Sequence, residues 1–205
     1  NSKPIIDFRF RSNPSVDDIG GDTSFTFPTR TFVWDVQDQD GVETITDIYY
    51  TLDDTCSTCW TQLSAEAFSS ITLSGLEPGN HTFYVKARDI AGAESDIIQF
   101  PDHNNPSEPH YWKVLPVQGE VLLIDDFIQD SQNNAQEWYR SVLDTALGNS
   151  NYSVWEIGRE LPYSNTDLSA TLHYFNHVIW NSAYTGNETY LDASFTMYKY
   201  VPLGR

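Results

Sequence analysis

Two adjacent acids, Asp125 and Asp126, follow the apolar run Val121–Ile124, and two further polar residues, Asn181 and Ser182, follow the apolar Val178-Ile179-Trp180. Carboxylates placed where strands end can hold a cation, accept hydrogen bonds from a ligand, or move a proton. In an open parallel sheet, ligands sit beyond the carboxyl ends of the strands, so Asp125, Asp126, Asn181 and Ser182 are the candidate ligand-binding residues. The competing reading is that Asp125 and Asp126 satisfy backbone donors of the loop that follows them. No nucleophile, base or metal-ligand histidine stands beside them in the pattern. His173 and His177 flank Phe175 ahead of the third strand, at the sheet's other end, and are expected at the surface or in packing.

A second cluster is acidic too. Asp38 and Asp40, with Asp35 just before them, lie in one loop, and Asp89 lies in a later one. In an Ig-type sandwich these loops share an end, so Asp38, Asp40 and Asp89 are the candidate Ca²⁺ ligands, and Ca²⁺ the one cofactor considered. The loop is not an EF-hand, since the register of Asp38 and Asp40 puts Val36 first and Asp47 last. Asp and Gly are also ordinary turn residues. The third candidate is Cys56-Ser57-Thr58-Cys59, which holds the chain's 2 cysteines. Lying between sandwich strands, with no helix N-terminus to acidify a thiol, it is expected to close as a small Cys56–Cys59 disulfide.

These residues need scaffolds to position them. Up to residue 101 the chain alternates in short runs: Ile6–Phe10, Ser24–Phe27, Thr31–Trp34, Ile45–Leu52, Trp60–Leu63, Ser70–Leu73, His81–Ala87 and Ser95–Phe100. Turn residues such as Asp38-Gln39-Asp40-Gly41 and Glu77-Pro78-Gly79-Asn80 separate them, which predicts an antiparallel sandwich of about seven strands. Residues 102–119, with Pro106, Pro109 and Pro116, read as a linker that Tyr111-Trp112 pins to one domain.

From residue 120 to 205 the pattern changes to β-α-β-α-β-α, which implies a three-layer parallel α/β domain. Its strands are Val121–Ile124, Tyr152–Ile157 and His177–Asn181. One helix, started by Asn133 or Asn134 and ended by Gly148, carries Trp138, Val142, Ala146 and Leu147 at helical spacing. A second, from Ser164 or Thr166, carries Leu168, Leu172 and Phe175, and a third, over 189–201, carries Leu191, Phe195 and Tyr198. Three strands make a thin sheet, so this domain is expected to be truncated at its C-terminus, with an edge strand that something covers.

Two resemblances follow from these motifs. Leu76-Glu77-Pro78-Gly79, His81–Ala87, Ala91-Gly92 and the early Trp34 resemble a fibronectin type III or bacterial Ig-like module, with His81 where that family has its corner tyrosine. Val121–Asp126, Trp138-Tyr139, Tyr152-Ser153-Val154-Trp155 and Val178-Ile179-Trp180 resemble the flavodoxin-like, class I glutamine-amidotransferase-like domain that follows Ig-like modules in secreted bacterial proteins. An amidotransferase nucleophile would be a later Cys, and none follows Cys59. Val121–Asp126 is also similar to the start of a response-regulator receiver, but Asn181 stands where that family needs its phosphoacceptor aspartate.

The charge narrows the partners. With 29 acids against 11 bases the formal net charge is −18, which disfavours nucleic acid and anionic membranes. No apolar run reaches the roughly 18 residues of a membrane span. The start Asn1-Ser2-Lys3-Pro4 reads as a processed end, which leaves room for a secretion signal or lipid anchor upstream. The expected location is extracellular, periplasmic or cell-surface. The expected role is a non-catalytic module binding protein or glycan, or acting as a spacer. The alternatives are the accessory front of a larger secreted hydrolase and an intracellular signalling domain.

Overall fold

The computed structural model describes residues 2–9, 23–63, 69–101, 111–126, 135–149, 151–156, 165–182 and 196–198. Alternation builds the first half. β1 (Ile5–Phe8), β3 (Thr29–Gln37) and β6 (Ser70–Ser74) form one antiparallel sheet, in the order β1-β3-β6. β4 (Ile45–Leu52), β5 (Thr61–Gln62), β8 (Phe83–Asp89) and β9 (Ile98–Phe100) form a second, in the order β5-β4-β8-β9. Their inward residues share one core, which includes Ile6, Phe32, Trp34, Ile48, Phe83, Val85 and Ala87. Phe83, Val85 and Ala87 alternate with outward Tyr84, Lys86 and Arg88, as their spacing predicts. Phe32 stacks flat on Phe83, with centroids 3.9 Å apart.

The proline-rich stretch expected to be a linker instead supplies a strand. β10 (Tyr111–Val114) lies between β2 (Thr23–Thr26), to which it runs parallel, and β7 (Gly79–His81), to which it runs antiparallel. Trp112 and Val114 belong to the sandwich core and are fully buried. The indole Nε1 of Trp112 donates to Thr26 Oγ1 at 2.9 Å, so the buried ring leaves no donor unpaired. The guanidinium of Arg30, itself fully buried, lies 5.1 Å from the Trp112 ring centroid and 4.2 Å from that of Phe100. Such cation–π contact offsets part of the cost of burying the charge. Gly79-Asn80, expected as a turn, is the start of β7 because β10 offers it a ladder.

His81 makes two side-chain hydrogen bonds. Its Nε2 donates to the Glu77 carbonyl four residues upstream at 2.7 Å, and its Nδ1 meets the Asp53 carboxylate at 2.7 Å. Asp53 holds a left-handed backbone (φ 66°), which a short polar side chain tolerates, and also accepts the Thr82 amide at 2.8 Å. One imidazole thus ties two loops to the sheet edge.

In the second half, β11 (Val121–Asp126), β12 (Ser153–Glu156) and β13 (His177–Ser182) form a parallel sheet in the order β12-β11-β13. β11 is central, and Leu122, Leu123 and Ile124 are fully buried, as a strand covered on both faces should be. Leu123 packs with Leu143 of α1 (Ala135–Leu147), whereas Leu122 and Ile124 pack with Leu168 and Leu172 of α2 (Asn165–Leu172) and with Phe175. Gly148, at φ 85°, ends α1 as expected, and its amide donates to the Asp144 carbonyl.

The inward face of α1 differs from the expected one. Trp138 is 62% exposed and Val142 44%, while Tyr139 and Leu143 pack on the sheet. Two adjacent rows of this helix are apolar. The row that turns inward lies next to Gln136 and Arg140, which reach the strand ends (below). Of the third helix, 196–198 are described and helical, with Met197 packed and Tyr198 exposed. Leu191, Phe195 and the helix's other residues lie outside the described set.

The halves meet at the corner between β2 and β3. Phe27 is 1% exposed, and its partners are not in the sandwich core: its ring meets Trp155 edge-on at 5.9 Å and Phe175 at 5.2 Å. Thr31 Oγ1 donates to Asp167 Oδ1 of α2 at 2.6 Å, and the hydroxyls of Thr29 and Tyr174 lie 2.7 Å apart.

Replacing His81 with Phe keeps a ring beside Trp112 and removes both hydrogen bonds. Urea unfolding should show a loss of about 1–3 kcal/mol. An unchanged midpoint would mean that the corner is held by packing alone.

Candidate functional site at the carboxyl ends of the parallel sheet

The parallel register sets Asp125 beside Asn181 and Asp126 beside Ser182, so the backbone brings together the four residues read as a cleft. Asp125 is 3% exposed. Gln136, in the first turn of α1, donates from Nε2 to Asp125 Oδ2 at 2.6 Å and to Glu156 Oε1 at 2.9 Å. Asn181 Nδ2 lies 3.4 Å from Asp125 Oδ1, and Arg140 Nη2 lies 3.1 Å from Glu156 Oε1. A polar row, Asn181–Asp125–Gln136–Glu156–Arg140, therefore crosses the ends of β13, β11 and β12. Two carboxylates set on adjacent strands would repel, and the shared amide and the guanidinium offset that. The row docks α1 on the strand ends.

Gln136, Arg140 and Glu156 escape the sequence reading. Gln136 and Arg140 are an i, i+4 pair, and Glu156 ends β12 level with Asp125, so the signal is visible only once the register is known.

The expected Ca²⁺ ligands are not gathered. Among the described residues, the group of three ligand-type side chains within 4.8 Å of one another is Asp54, Cys56 and Cys59, not Asp38, Asp40 and Asp89. Each loop uses its acids locally. Asp38 Oδ1 accepts the Asp40 amide at 2.8 Å, while Asp89, 3% exposed at the end of β8, accepts the Ala93 amide at 2.7 Å. Asp35 pairs with Arg9 across β1 and β3, and that hydrogen bond holds its carboxyl below the usual range. Cys56 and Cys59 form a disulfide, so their sulfurs are not thiolate ligands beside Asp54. His173 is exposed, with Nδ1 2.6 Å from the Ser169 carbonyl, and His177 is exposed too.

A second surface carries aromatic and cationic groups that the alternation left unremarked. On the outward side of β5-β4-β8-β9, Lys86 Nζ lies 4.7 Å from the centroid of Trp60 and 5.8 Å from that of Tyr49. Arg88 Cζ lies 5.0 Å from Tyr49, and its guanidinium donates twice to Asp47 Oδ2, at 2.9 and 2.7 Å. Lys86 also pairs with Glu94 at 2.7 Å. Trp60 directly follows the disulfide-closed turn. Trp, Tyr and Arg are the side chains that most often anchor binding surfaces, because they bury large area at low entropic cost.

No protein-family model matches the chain, and no curated protein matches it in sequence. Among solved structures, the Clostridium thermocellum CbhA fibronectin(III)-like modules match at 13% identity and TM-score 0.33, over 54% of this chain and 96% of that one. The extracellular domain of BT3049 from B. thetaiotaomicron matches at 18% identity and TM-score 0.36, over 56% of this chain and 15% of that one. The GspB Siglec domain matches at 12% identity and TM-score 0.28, over 70% and 74%. At such TM-scores the likeness carries no argument.

The hydrogen bonds from Arg88 hold the Asp47 carboxyl below the usual carboxylate range. Ionised Asp47 then stabilises the fold above the unfolded-state value, and that contribution is lost as pH falls through the lower folded-state value. Melting temperatures on the acid side should therefore fall less steeply in Asp47→Asn than in the wild type. Equal slopes would show that the pair contributes nothing to acid stability.

Proposed function

We propose that this chain is a non-catalytic extracellular module of a bacterial protein, and that it binds a protein or glycan partner through the outward face of β5-β4-β8-β9. The observation that carries this is the Trp60–Tyr49 platform, flanked by Lys86 and Arg88 beside the disulfide turn. The Lys86 ammonium, two aromatic rings and Gln62 offer charge, stacking and hydrogen bonding side by side. The disulfide fits an oxidising compartment.

The architecture proposed for it is a fibronectin type III-like sandwich followed by a flavodoxin-like, amidotransferase-like domain. Three strands, β1-β3-β6, against four, β5-β4-β8-β9, are in keeping with the first. The order β12-β11-β13, second-first-third along the chain, agrees with the first three strands of the flavodoxin-like 2-1-3-4-5 sheet. The boundary between the two is best drawn after Val114, since β10 is built into the sandwich. At the strand ends, Asp125 and Glu156 share Gln136 as a packing tie, and Asn181 gives no phosphoacceptor carboxylate.

A glycan array probed with labelled wild type, Trp60→Ala and Lys86→Ala tests the reading. Binding to a subset of glycans that falls about tenfold or more in Trp60→Ala supports it. Silence from the wild type confines it to a protein partner. Full binding by both variants removes this face from the function.

A further inference from the structure

A cavity of about 480 Å³ lies where the two halves meet, away from the Trp60 face. Residues of β2, β12 and α1 line it, and two of these elements are end strands. Among the described residues, β12 is the end strand of its sheet and pairs only with β11, and β2 is the end strand of β2-β10-β7 and pairs only with β10. Phe25 of β2 and Val154 of β12, both half-buried, line the cavity, and Leu115 adds to its apolar part. At the polar end stand Asp144 and Glu156, with Arg140 as the one cation among the lining residues. A strand edge presents backbone donors and acceptors in a row, and an added strand satisfies them while its alternate side chains enter pockets.

We infer that this groove takes an extended segment of a partner protein, added as a strand on the edge of β12, with alternating apolar and basic side chains. The apolar ones would cover Phe25, Leu115 and Val154, and the basic ones would meet Asp144, since Glu156 already pairs with Arg140. Charge selects the occupant. With Glu156 paired to Arg140, Asp144 is the lining's uncompensated carboxylate, and the chain has net charge −18, so a basic segment is drawn in and a second copy of this chain is repelled. The inference is independent of the glycan or protein reading of the outward face.

Fluorescence anisotropy with the intact chain tests it, using a labelled peptide of alternating lysine and valine. The peptide should bind, and its affinity should fall about tenfold or more when its alternate amides are N-methylated or its lysines become glutamate. Asp144→Lys and Phe25→Asp, each checked for retained folding by circular dichroism, should weaken it similarly. No binding, or equal binding by the N-methylated peptide, overturns strand addition. Equal binding by the glutamate peptide overturns the charge argument, and self-association of the free chain through this face would assign it to a second copy instead. If either variant fails to fold, the three peptides still decide.

Discussion

Phe27 is the residue on which the relation between the two halves depends. It leaves the sandwich at the corner between β2 and β3 and enters the apolar layer formed by Trp155, Phe175, Leu168 and Leu172. An edge-on aromatic contact with two rings is worth more than its buried area alone. The corner is held from behind, because Trp112 donates to Thr26 and stacks into the sandwich core beside Phe32 and Arg30. The two cores are therefore joined through neighbouring residues: Thr26 anchors on one side and Phe27 plugs the other. Thr31–Asp167 and Thr29–Tyr174 extend the same contact with hydrogen bonds.

This arrangement gives the module a fixed shape. A proline-rich linker would let the halves swivel, and interfaces between domains are often small enough to allow it. Here residues 111–114 form a strand inside the sandwich, and only 115–120 separate it from β11. The groove between β2 and β12 follows from the same geometry, since Phe27 directly follows β2 and packs edge-on against Trp155 of β12. The outward face with Trp60 and the groove lie on different parts of one rigid scaffold.

Much of the fold is legible in the sequence because alternation and helical spacing report burial directly. The strand series of the sandwich, the buried run Leu122–Ile124 and the α2 face of Leu168 and Leu172 follow from period alone, and Phe175 packs with that face from just past the helix end. The core position of Trp112 is not legible, because prolines on either side of it mask a four-residue strand whose partners lie far away in sequence. Phe27 has an alternating neighbourhood like any core residue, so nothing local says that it faces the other half. For the site, strand ends in a parallel sheet fall level, which is why Asp125 and Asn181 could be paired from sequence. Asp38, Asp40 and Asp89 do not converge for a local reason: Asp38 and Asp89 each accept a backbone amide of their own turn.

The central claim is that the two halves fold as one packed unit through Phe27, and equilibrium unfolding of the wild type and Phe27→Ala tests it most directly. Tryptophan fluorescence, which includes Trp155, and far-ultraviolet circular dichroism should give one coincident transition in the wild type. Phe27→Ala should lower stability by about 3–5 kcal/mol or split that transition in two, with the parallel half unfolding first. Two separate transitions in the wild type, unmoved by Phe27→Ala, would contradict the account.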